Sequence, residues 1–158
     1  MKLWLTLGCV LLVAGCGSAP ETKKEAEAQK PAPKPPLPFD ETMKFPPKDR
    51  VEVKVFPAPL LGKTFLPGGN IAHYQHGKKE WDLFLVKSSG PDTAALLLLD
   101  YKNQMTDTHV VAHFGGFAGT DGDKPAFVFA KGVWLAGVRG LPEKEADRVA
   151  REFAARFN

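Results

Sequence analysis

Thiols are nearly missing from this chain of 158 residues: its two cysteines, Cys9 and Cys16, both fall within the first sixteen positions. Everything beyond them lacks a disulfide to constrain the unfolded state, a thiolate nucleophile and a thiolate metal ligand. A fold placed there rests on its core alone. No apolar run reaches the roughly 20 residues that a membrane-crossing helix requires, since the run from Leu3 to Ala14 stops well short. One-sided charge is also absent. The 21 lysines and arginines face 18 aspartates and glutamates, and from Arg50 onward the signs interleave, which excludes the basic stripe of a nucleic-acid surface. The chain has no Gly-x-Ser-x-Gly elbow, no serine followed at short spacing by lysine, and no internal repeat. With no motif that carries a mechanism, catalysis is not expected and no catalytic residue is assigned.

What is present begins with Lys2, a minimal positive n-region, followed by the short apolar stretch to Ala14 and then Gly15-Cys16-Gly17-Ser18. That grammar is a secretory signal. Val13, Ala14, Gly15 and Cys16 resemble the lipobox of bacterial lipoproteins. The resemblance covers about the first seventeen residues and implies a signal peptide over residues 1–15, cleavage before Cys16 and acylation of Cys16 as the lipidation site. Several acyl chains, at roughly 0.8 kcal/mol per buried methylene, make a stable membrane anchor. Gly17 in place of an aspartate resembles the pattern that directs enteric lipoproteins to the outer membrane, which implies a protein facing the periplasm.

Residues 16–50 turn to Ala, Pro, Lys and Glu, with Pro31, Pro33, Pro35, Pro36, Pro38, Pro46 and Pro47. Such a composition offers too little apolar surface to offset the entropy of ordering, and reads as a tether. Extended at about 3.1 Å per residue it would reach on the order of 100 Å.

Residues 51–158 are long enough for one core. Val51, Val53 and Val55 alternate with Glu52 and Lys54 as a half-buried strand. Ile71 to His76 and Trp81 to Lys87, separated by Gly77 to Glu80, form a hairpin signal. Pro91-Asp92-Thr93 opens a helix expected to run to about Gln104, with a buried strand as the competing reading of Leu96 to Leu99. Strands are expected at His109 to Phe114, Ala126 to Ala130 and Val133 to Val138, with Gly115 to Gly119 as a mobile connection and Asp121-Gly122 and Lys131-Gly132 as turns. Ala146, Val149, Ala150, Phe153 and Phe157 recur at helical spacing and mark a terminal amphipathic helix. The expected fold is α+β, a mainly antiparallel sheet with about two helices packed largely on one face.

Candidate sites are few. His73 and His76 would lie on opposite faces of a strand, and His109 and His113 would share a face at about 13 Å, so neither pair alone chelates an ion. Asp121-Gly122-Asp123 opens like a calcium loop but lacks the glycine and glutamate that such a loop needs further on, so a hairpin turn explains it better. Ser88 and Ser89 fit a helix-entry loop. Asp82, Asp100 and Asp107 are the carboxylates from which a pair would come. Trp81, Phe84, Phe127, Phe129 and Trp134 read as core, with two of them available to line an apolar groove. No cofactor or metal is expected. The sequence thus points to a membrane-anchored envelope protein with an interaction or assembly role and an envelope protein as partner. The alternative is a periplasmic binding domain for an apolar or haem-like ligand, followed by a cryptic hydrolase.

Overall fold

The computed structural model describes residues 38–157, so the signal segment, Cys16 and most of the expected tether lie outside the described residues. Seven strands, β1 (Arg50–Phe56), β2 (Gly69–His76), β3 (Lys79–Lys87), β4 (Thr106–Val111), β5 (Gly116–Asp121), β6 (Lys124–Lys131) and β7 (Trp134–Arg139), form one antiparallel sheet in the order β1-β2-β3-β7-β6-β5-β4. Helix α1 (Pro91–Asn103) follows β3 and helix α2 (Glu143–Ala154) follows β7. The chain is α+β, as its pattern of elements predicts. The step from β3 through α1 crosses to the far edge of the sheet, and β7 returns to fill the place beside β3.

The helices do not share a face, which corrects the expected layering. Leu83 and Leu85 of β3, Phe127 and Phe129 of β6, and Ala136 and Val138 of β7 pack with Ala146, Ala150 and Phe153 of α2. The intervening Phe84, Val86, Val128 and Leu135 pack with Leu97, Leu98 and Tyr101 of α1. Successive side chains of a strand point to opposite faces, so a strand apolar at every position must be covered on both. Leu83 to Val86 and Ala126 to Phe129 are such runs, buried at each residue, and one helix on each side is their consequence.

Helix α1 starts with Pro91 in its first turn, where the missing amide hydrogen costs nothing, and with Asp92 near the positive end of the dipole. Its four leucines divide, with Leu97 and Leu98 buried and Leu96 and Leu99 exposed. In α2 the buried stripe is Ala146, Ala150 and Phe153, and Phe157 beyond its end stands 4.7 Å from the Phe153 ring in an edge-on contact.

Two further expectations are corrected. Gly116 to Asp121 is strand β5 and not a mobile connection, and β4 ends at Val111 before a turn. A Cβ at Gly116 would stand 2.5 Å from the Val128 carbonyl oxygen, and one at Gly119 would stand 2.7 Å from that of Thr106. These glycines answer close backbone approach inside the sheet. Likewise the domain does not begin at Val51. Phe45 is buried with its ring 5.0 Å from that of Phe153. The Asn70 side chain accepts from the Glu41 amide at 3.1 Å and donates to the Phe39 carbonyl at 3.0 Å, and the Tyr74 hydroxyl donates to the Pro46 carbonyl at 2.8 Å. Residues 39–50 belong to the fold.

Candidate functional site

The β2–β3 hairpin and α2 enclose an open groove of about 590 Å³. Its floor is a cross-strand pair: Tyr74 faces Trp81 in register, and their rings stack at 5.4 Å and 13°. Glu145, Arg148, Val149 and Glu152 line one wall. Their spacing puts all four on one side of α2, next to the stripe that carries Ala146, Ala150 and Phe153 into the core. Lys48 and Asp49 from the segment before β1, with His76, Lys78 and Lys79 from the hairpin turn, complete the rim.

Part of this charge is already paired. Lys79 Nζ lies 2.7 Å from Glu145 Oε1 and 2.9 Å from Oε2, and this hydrogen bonding holds the Glu145 carboxyl below the ordinary carboxylate range. His76 Nδ1 lies 3.1 Å from Asp49 Oδ1. Burial pushes the Tyr74 phenol above its usual value, which leaves it a neutral donor to Pro46. The indole nitrogen of Trp81 is buried and meets no hydrogen-bond acceptor among the described residues.

A second groove, of about 550 Å³, lies where Phe39, Pro67, Asn70, Lys87 and Ser88 meet. The most buried charge in the described residues is elsewhere, under the C-terminal end of α1. Asp121 accepts from Lys63 Nζ at 2.8 Å and from the Tyr101 hydroxyl at 2.5 Å, and Arg139 Nε stands 3.0 Å away without hydrogen-bond alignment. Burial alone would raise the Asp121 carboxyl, but the hydrogen bonds from Lys63 and Tyr101 and the charge of Arg139 outweigh it and hold it below its ordinary value. Burial, then the bond to Asp121, pushes Tyr101 up. A fixed carboxylate with two cations and a neutral phenol pins the loop at Lys63, α1, β5 and β7 together. It is a structural network. Asp121 is thus more than the turn residue its place beside Gly122 suggests.

The sequence candidates sort cleanly. Cys16 lies outside the described residues. Each of the four histidines has a carboxylate partner: His73 with Asp82 at 2.9 Å, His76 with Asp49, His109 with Glu143 at 3.0 Å and His113 with Asp147 at 3.1 Å. A metal site drawn from β2 and β4 would have to span five strand spacings, roughly 24 Å. Among the described residues no three His, Cys, Asp or Glu side chains gather as metal ligands would. Asp82 on β3 and Asp107 on β4 are four spacings apart, roughly 19 Å. Asp100 is exposed on α1. Ser88 Oγ lies 2.7 Å from the Gly90 carbonyl and Ser89 Oγ 3.0 Å from Thr93 Oγ1, the bonds of a helix-entry loop. Phe84, Phe127, Phe129 and Trp134 are core, and Trp81 alone of the five aromatics lines the groove.

The groove itself was missed in the sequence, because it joins residues more than sixty positions apart. Its only local signal is the spacing of Glu145, Arg148, Val149 and Glu152. No known protein family, curated protein or solved structure matches the chain.

Proposed function

We propose that this protein is a lipid-anchored component of the bacterial cell envelope, held through acyl chains on Cys16 at the outer membrane facing the periplasm, and that its domain is a non-catalytic interaction module. Residues from Gly17 to the start of the fold act as the spacer between membrane and domain. The observation that carries the module reading is the division between interior and surface. Both faces of the sheet are filled by interlocked side chains, with Phe153 wholly buried between Phe45 and Phe157. The groove with aromatic floor and mixed charge lies outside them. That arrangement favours recognition at the surface over enclosure of an apolar or haem-like molecule, which would need hollow space beneath a helix. No helix among the described residues is long and apolar enough to cross a membrane.

Cys16→Ser tests the anchor. The wild-type chain is expected to enter the detergent phase on partitioning, and the variant to remain as uncleaved precursor or in the aqueous phase. Because an uncleaved precursor keeps the apolar Leu3 to Ala14 segment, intact mass decides: a wild-type chain without acyl chains on Cys16 would refute attachment through Cys16.

A further inference from the structure

We infer that the groove between the β2–β3 hairpin and α2 is the docking site for an acidic peptide segment of a partner protein; this rests on the interaction-module reading and names the partner's chemistry. Three observations carry it. The first is the charge left over after the groove's internal pairs are counted. Lys79 is taken by Glu145 and His76 by Asp49. Lys48, Lys78 and Arg148 line the same groove and take part in no ion pair among the described residues, against one such carboxylate, Glu152. Over the whole lining, with histidine counted neutral, Lys48, Lys78, Lys79 and Arg148 stand against Asp49, Glu145 and Glu152, a net charge of +1, and the three cations outside ion pairs outnumber the one such carboxylate.

The second observation is the unmet donor. Trp81 lines the groove with its indole N–H buried and without an acceptor. A carboxylate or carbonyl oxygen brought in by a ligand supplies one once the indole turns toward the groove. The third is the mix of signs. Glu152 lies seven residues along α2 from Glu145, about 10 Å, with Arg148 between them. A sulfated glycan brings charge at every residue against these carboxylates and no apolar group, whereas a peptide spaces its acidic side chains with neutral residues, so that they stand at Lys48, Lys78 and Arg148 while an apolar side chain meets Trp81.

The test titrates the full wild-type chain in neutral detergent with a fluorescent peptide of alternating glutamate and glycine around one central leucine. Controls are the same peptide with lysine for glutamate and a heparin hexasaccharide. The acidic peptide should bind, weaken as salt rises, and lose at least about tenfold in affinity on Arg148→Glu combined with Lys78→Glu. Arg148→Lys, which keeps the charge, should stay within about threefold. Circular dichroism melts establish that the doubly reversed variant is folded; Arg148→Gln with Lys78→Gln serves if it is not. Equal binding of the lysine peptide, binding unmoved by charge reversal, or tighter charge-dependent binding of the hexasaccharide would each overturn the inference. Those results leave the module reading standing, since it fails on a different outcome, a small molecule bound in the interior.

Discussion

Asp121 shows how little of a residue's role is contained in its immediate neighbours. Beside Gly122 it reads as a turn, and it does close the β5–β6 hairpin, but its side chain enters the α1 face between Lys63 and Tyr101. Nothing local foretells this, because its partners come from 58 and 20 residues away. Asp121→Asn leaves the half-buried Lys63 and Arg139 without a counter-charge and should cost about 1–3 kcal/mol in denaturant unfolding. The pH dependence follows from the sign of the shift. The folded carboxyl is held below its unfolded value of about 3.9, so its contribution is present above that pH and is lost as pH falls through the lower folded value. The gap between wild type and Asp121→Asn should accordingly narrow at acid pH and be full at pH 7; a gap unchanged between the two would contradict it. Gly137 makes a second residue-scale case. Opposite Phe84 in the β3–β7 register, a Cβ there would stand 2.3 Å from the Phe84 ring. Gly137→Ala should therefore destabilise by about 1–3 kcal/mol through overpacking.

Among the elements, those with a strong period were legible and those whose form depends on neighbours were not. The amphipathic stripe of α2 lies near where the sequence placed it, whereas β1 keeps its alternation only at Val53 and Val55, with Val51 exposed beside the register shift between Arg50 and Glu52. Strand β5 was hidden, because its glycines look like loop residues until the strands beside them are known to press on the backbone. The two-sided burial was readable in principle: Leu83 to Val86 and Ala126 to Phe129 carry no polar alternation, and so require cover on both faces. Helix α2 supplies the sharpest test at this scale. Phe153→Ala removes a wholly buried ring that touches Phe45 and Phe157 and should cost about 3–5 kcal/mol. The denaturation midpoint should fall with the slope unchanged. Arg148→Ala on the groove side of the same helix should stay within about 0.5 kcal/mol. A mild effect of Phe153→Ala would instead point to slack beneath the helix, as a ligand carrier would need.

At the scale of the whole molecule, composition located the start of the fold too late. The prolines up to Pro47 masked the aromatic that matters, Phe45, whose burial follows from where α2 ends up and not from its own neighbourhood. A chain beginning at Pro38 should unfold at the same denaturant concentration as the longer one. A chain beginning at Val51 loses the Phe45 ring and the Pro46 acceptor of Tyr74. It should be weaker by at least about 3 kcal/mol, a large share of a domain's usual 5–15 kcal/mol. Equal stability of the two would return the boundary to Val51. The central claim, an acylated anchor joined to a domain with a filled interior and a surface recognition site, comes down to what the molecule carries when taken from its membrane. Native mass spectrometry of the wild-type chain extracted in mild detergent should give a mature protein beginning at Cys16, increased only by the mass of its acyl chains. An unacylated chain, or a further apolar molecule bound at one per protein, would contradict the account.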